Sequence, residues 1–159
     1  MNLRKLGYGL VLAVMLAAVG CTLEKTEQDW ADELGELKTR DAAMRYIQNN
    51  AKNKKLAQAA IPKLIEIVET DKAAARNAVK VIGMLGDPVA VPKLIEIVNK
   101  IKDKDSPDFD RLTNDICQAL GLIGDKNAIP TLADVATNKL TSNLSKAGAV
   151  QALGLINDP

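Results

Sequence analysis

Gly83 to Val98 reads GMLGDPVAVPKLIEIV, and the fold of the chain turns on how this stretch is read. Gly86 can take the left-handed conformation that ends a helix without a Cβ penalty. Asp87 can accept hydrogen bonds from the free N–H groups of the next first turn, and Pro88 stands where its missing N–H costs nothing. The stretch therefore closes one helix and opens another. Near-copies surround it: GLIGDKNAIPTL from Gly121 to Leu132, AAIPKLIEIV from Ala59 to Val68, and GLINDP from Gly154 to Pro159. A joint that recurs in this way builds a stack of helical pairs. Pro62, Pro92 and Pro130 fall a few residues into the following helices, where a proline removes one backbone bond and bends the axis.

Outward from the joint, the chain reads as four pairs, the first divergent. Trp30 to Leu37 is followed by Asp41 to Gln48, Ala59 to Glu69 by Lys72 to Leu85, Pro88 to Ile101 by Leu112 to Ile123, and Ala128 to Thr137 by Leu144 to Ile156. The second helices align on Gln48, Gly83, Gly121 and Gly154, at spacings of 35, 38 and 33 residues. The unequal spacing places insertions in loops. The longest, Lys100 to Asp110, carries Asp103, Asp105, Asp108 and Asp110 but lacks the glycine turn and final glutamate of a calcium loop, so it reads as a solvated hairpin. In Lys72 to Leu85 the residues Ala75, Ala78, Ile82 and Leu85 recur at spacings of three and four, which buries one broad face. Glycine inside a helix costs about 1 kcal/mol relative to alanine. Three glycines at one position, Gly83, Gly121 and Gly154, therefore predict close helix contact.

Composition agrees with an all-α domain, since 47% of the 159 residues are apolar and only 3% aromatic. Residues 1–20 differ in kind: Arg4 and Lys5 precede the unbroken apolar run Leu10 to Val19, which is shorter than the ~20 residues that span a bilayer. This is an export signal. Ala18-Val19-Gly20-Cys21 resembles the lipobox of bacterial lipoproteins, in which the cysteine becomes the acylated N-terminus. The resemblance implies lipidation at Cys21, a tether over residues 21–29, a repeat domain over 30–159, and an address in the bacterial envelope. Thr22, which is not the aspartate that favours inner-membrane retention, points to the outer membrane facing the periplasm. Two of the 21 Lys and Arg residues and none of the 20 acidic ones lie in residues 1–20, so the mature chain carries about −1. A near-neutral chain poor in aromatics offers neither a phosphate-neutralising stripe nor stacking platforms, which argues against nucleic acid.

The capped joint, the proline-bearing helix ending in LIEIV and the alanine-rich helix ending in LG-x-IGD resemble HEAT repeats. They are closer still to the short bacterial HEAT-like repeats also found in phycobilin lyases. The resemblance covers Ala59 to Pro159 and, more faintly, Trp30 to Asn50. It implies an α-α superhelix of about four helical pairs whose second helices line the concave side. The basic residue that the family often carries early in the second helix is matched by Arg40 and Lys146 and replaced by Ala75 and Thr113 in the middle repeats.

Chemistry is sparse. The chain has no histidine, which removes Ser-His triads, His-Glu metal sites and most zinc sites. Once Cys21 is acylated, Cys117 is the remaining thiol, and its alignment with Val79 and Val150 reads as a buried apolar cysteine. Asp87, Asp125 and Asp158 read as helix caps, and Lys63 with Glu66 and Lys93 with Glu96 as solvated pairs. No catalytic residue, cofactor or metal is expected. Superposing the second helices gives three polar-edge rows: Arg45, Lys80, Gln118 and Gln151; Asp41, Arg76, Asn114 and Ala147; and Asn49, Met84, Leu122 and Leu155. The apolar members of the last row either line a groove or pack between repeats.

These rows point to a membrane-tethered scaffold that binds an unidentified protein. The alternatives are an enzyme of the phycobilin-lyase type and a carrier of an apolar small molecule along the Met84 row. The last helix, with Ala149, Val150, Ala152, Leu153 and Ile156 and no polar capping face, predicts a bare edge that further repeats or a second copy would cover.

Overall fold

The computed structural model describes residues 24–104 and 106–157. The leader, Cys21, Asp105 and the last Asp158-Pro159 dipeptide lie outside the described residues. Among the described residues the secondary structure is helical throughout: α1 (Glu27–Glu33), α2 (Arg40–Asn49), α3 (Lys54–Thr70), α4 (Ala75–Leu85), α5 (Val91–Ile101), α6 (Pro107–Ile123), α7 (Ile129–Thr137) and α8 (Asn143–Asn157). Short 3₁₀ turns, Pro88–Ala90 and Lys126–Ala128, lead into α5 and α7.

The helices pair in chain order, α1 with α2, α3 with α4, α5 with α6 and α7 with α8. Second helices pack on one another in sequence, α2 on α4, α4 on α6 and α6 on α8, while α1 packs on α3 and α3 on α5. One continuous core runs between the two layers, from Leu34 and Ile47 through Leu64, Ile82, Leu94 and Leu120 to Leu132 and Ile156. Its buried members are aliphatic apart from Met44 and Cys117, and the aromatic Trp30 and Phe109 pack against it only partly buried.

The joint behaves as the local chemistry dictates. Gly86 and Gly124 end α4 and α6 at φ 65° and 75°, and the next aspartate caps the following turn. Asp87 accepts from Val89 N at 3.0 Å and Asp125 from Asn127 N at 2.9 Å. The prolines differ from expectation. Only Pro62 lies inside a helix, whereas Pro92 and Pro130 stand in the first turns of α5 and α7, where the lost N–H had no helical partner. A short 3₁₀ turn precedes each of these two prolines.

Two boundaries also move. α1 starts at Glu27, inside the stretch read as tether, because Thr26 and Asp29 form a reciprocal capping box. The loop read as Lys100 to Asp110 shrinks to residues 102–106. α5 runs to Ile101, and α6 begins at Pro107, with Asp108 and Asp110 in its first turn, where carboxylates suit the helix dipole. Asp103 is occupied as well, accepting from Asn138 Nδ2 at 2.8 Å.

The first helical pair carries an aromatic stack. Trp30 stacks on Tyr46 with ring centroids 3.9 Å apart, Lys25 lies 4.4 Å over the Trp30 ring, and the same Lys25 pairs with Glu33 at 2.5 Å. Cation, indole and phenol thus stack in one cluster on the first pair.

Candidate protein-binding face of the second helices

Arg45, Lys80, Gln118 and Gln151 are exposed, as are Asp41, Arg76 and Ala147, with Asn114 half-buried. Asn49 is exposed too, and Met84, Leu122 and Leu155 are 55%, 59% and 53% exposed. An apolar side chain held half in water at three successive repeats is the most informative feature of this face.

The geometry explains how the two leucines serve two surfaces. A Cβ built on Gly83 would stand 3.4 Å from Leu122 Cδ1, and one built on Gly121 would stand 3.2 Å from Leu155 Cδ1. Each leucine thus lays its tip over the glycine of the preceding repeat and leaves the rest of its surface to solvent. The same glycines admit Ala119 and Ala152: the built Cβ of Gly83 lies 3.0 Å from Ala119 Cα, and that of Gly121 lies 2.7 Å from Ala152 Cα. Close contact between second helices is therefore the reason for two of the three aligned glycines. Gly154 differs, with nothing within 4 Å of its built Cβ.

Two cross-repeat ion pairs fix this face, and only part of their pattern was legible in the sequence. Arg40 reaches Asp71 at 2.5 Å and donates through Nε to the Leu34 carbonyl at 2.8 Å. The backbone N–H of Ala74 and the Arg40 guanidinium together hold the Asp71 carboxyl below the usual range. One repeat on, the cation has moved by one position: Arg76 Nε donates to Asp115 Oδ2 at 2.6 Å, and the Asp115 side chain is 4% exposed against 46% for Arg76. Ala75 and Thr113, which align with Arg40 and Lys146, are buried. Asp115 carried no sequence signal, because its partner lies 39 residues away in another helix.

A groove of about 710 Å³ opens where α3 and α5 end and α4 and α6 begin. Val68, Ile97, Ile101 and Phe109 line it, with Lys72 and Lys104 among its polar residues; Lys104 Nζ sits 4.8 Å over the Phe109 ring. The Met84 row does not line this groove. Nor does Cys117, which is wholly buried between repeats, where burial pushes its thiol up to about 12. A thiol held neutral in this way is not nucleophilic near neutral pH. Among the described residues no three His, Cys, Asp or Glu side chains gather into a metal site, and no helix is long and apolar enough to cross a membrane.

On the outer layer, the first helices carry the expected exposed pairs. Lys63 meets Glu66 at 3.2 Å, while Glu96 bridges Lys100 at 2.6 Å and Lys93 at 2.8 Å. Lys100 first and Lys93 second lower the Glu96 carboxyl to about 2.

Two layers of paired helices, with the second helices stacked in register and their polar edges aligned, define an α-α superhelix of the scaffold type. Residues 74–100, which run from the start of α4 through the joint to the end of α5, match the family described as the PBS lyase HEAT-like repeat. The stack is thus HEAT-like. No curated protein and no solved structure matches the chain.

Proposed function

We propose that this chain is a non-catalytic, protein-binding scaffold of the bacterial envelope, held at its membrane by acylated Cys21 and engaging its partner through the second-helix face. The observation that carries the reading is the half-exposed row Met84, Leu122 and Leu155 beside the exposed polar row Lys80, Gln118 and Gln151. A ridge of apolar tips flanked by long hydrogen-bonding side chains has the composition of a protein interface. The buried, neutral Cys117 and the lack of histidine in the sequence favour binding over a lyase-type reaction. The Met84 row favours a protein over a small apolar cargo, since its residues form an open ridge and do not line the groove.

Lys80→Glu combined with Met84→Asp tests the face. Both positions are exposed, so the helical circular dichroism is expected to remain while partner capture from crosslinked membranes is lost. Undiminished capture by the folded double variant would reject this face. The anchor is tested separately: label from a fatty-acid analogue is expected in the native chain, and label that survives Cys21→Ser would reject acylation there.

A further inference from the structure

Of the apolar residues expected to lie bare on α8, Ala149, Ala152 and Ile156 are buried in the chain's own core. A concave apolar surface is found elsewhere, in the groove of about 710 Å³ between the ends of α3 and α5 and the starts of α4 and α6. Its floor and its rim differ in chemistry. Val68, Ile97 and Ile101 are core residues, yet they keep 6%, 5% and 7% of their surface open, where Leu64, Leu94 and Val98 of the same helices keep none. These three therefore reach both the core and the groove, and the half-buried Phe109 and Leu112 complete an apolar floor.

The charged lining residues are the exposed ones. Lys72, Arg76, Lys100 and Lys104 stand against Glu69 and Asp108, so the described rim carries an excess of two positive charges. Part of that charge is spoken for. Asp115 holds Arg76, Glu96 holds Lys100, and Asp108 lies 3.7 Å from Arg111. Lys72 and Lys104 meet no carboxylate within ion-pair distance among the described residues. Lys104 Nζ instead lies 4.8 Å over the Phe109 ring, which sets a free cation at the boundary between rim and floor.

The floor restricts what can lie on it. A peptide laid there would bring backbone N–H and C=O groups that must be paired, and Ser106 is the one neutral polar side chain of the lining. An alkyl chain has no such groups to satisfy. The volume also falls in the range of small-ligand sites, about 300–1,000 Å³. We propose that this groove binds a free long-chain carboxylate, its alkyl tail along Val68, Ile97, Ile101 and Phe109 and its carboxylate paired with Lys72 and Lys104. Of the protein-binding face only Arg76 lines the groove, and Asp115 already holds it, so the ligand and a protein partner engage separate surfaces.

The test titrates laurate, below the concentration at which it forms micelles, into residues 21–159 carrying Cys21→Ser and follows the heat of binding. Saturation at one laurate per chain is expected. Affinity should rise roughly fourfold per added methylene from octanoate to laurate, since each buried CH₂ contributes about 0.8 kcal/mol. Lys72→Ala combined with Lys104→Ala removes two exposed ammonium groups, so the helical circular dichroism is expected to remain while laurate binding weakens roughly three- to thirtyfold. Dodecanol, of equal length and without charge, should bind more weakly and be indifferent to the double variant. No saturable laurate binding, an affinity flat in chain length, or an affinity untouched by loss of both lysines would overturn the proposal. Capture by phosphatidylglycerol vesicles without binding of free laurate would assign the groove to a membrane surface, and tighter binding of a short acidic, leucine-bearing peptide than of laurate would assign it to a protein segment. Either result overturns it as well.

Discussion

Alanine substitution at the three aligned glycines separates the physics of the contact from that of the helix. At Gly154 the built Cβ meets nothing, so Gly154→Ala gains the intrinsic helix preference alone, about 1 kcal/mol of added stability. At Gly121 the same gain is opposed by a built Cβ 2.7 Å from Ala152 Cα and 2.9 Å from Ala152 Cβ. Backbone cannot rotate away, so α8 must retreat from α6, and a gap of 0.5–1 Å forfeits roughly a quarter to a half of the dispersion energy at each contact along it. Overpacking of this kind costs about 1–3 kcal/mol, which leaves Gly121→Ala destabilised by up to about 2 kcal/mol after the helical gain. Gly83→Ala, with contacts of 3.0 and 3.1 Å, should fall between the two, close to neutral. Urea melts followed by circular dichroism would read the order Gly154→Ala above wild type, Gly83→Ala near it and Gly121→Ala below. At about 2–4 °C per kcal/mol, thermal melts resolve the extremes as well. Equal destabilisation by all three substitutions would refute the register of the second helices.

Two other outcomes follow from the ion pairs. Arg76→Ala leaves Asp115 buried without its partner and is expected to cost about 1–3 kcal/mol in a urea melt, less than a fully buried pair because Arg76 is half in water. A double-mutant cycle with Asp115→Asn should return part of that loss, and strict additivity would contradict the pairing. On acidification, Glu96 and Asp71 both have carboxyls lowered in the fold, so their contribution is complete above the ordinary carboxylate range. It is lost as pH falls through their folded values, for Glu96 between about 4.5 and about 2. Glu96→Gln should flatten that part of the melting-temperature profile, and an unchanged acid limb would count against the bridge.

The fold was legible because its punctuation is local. Gly86-Asp87 and Gly124-Asp125 state where one helix stops and the next begins, and the three-four spacing of Ala75, Ala78, Ile82 and Leu85 states which side is buried. The rows of the second-helix face followed from superposing repeats, and their members are exposed except for half-buried Asn114. What depends on neighbouring repeats was less legible. Sequence could not show that Pro92 and Pro130 fall in first turns, because the joint's 3₁₀ segment shifts the start of the α-helix. Nor could it show Asp115, whose significance exists only opposite Arg76, or the groove beside Phe109, which needs the ends of four helices to meet. Whether Met84, Leu122 and Leu155 were core or surface also lay beyond periodicity: all three are about half exposed, and Leu122 and Leu155 also lay their tips over the glycines of the preceding repeat.

The claim that the second-helix face binds a protein partner is tested most directly by photocrosslinking from single positions in cells. A photoreactive residue is placed at Met84, Leu122 or Leu155, and for comparison at Lys63 or Lys93 on the first helices. Discrete crosslinked bands are expected to share one partner from the Met84, Leu122 and Leu155 positions and to be absent from Lys63 and Lys93. Bands from Lys63 or Lys93 with none from the Met84 row would contradict it.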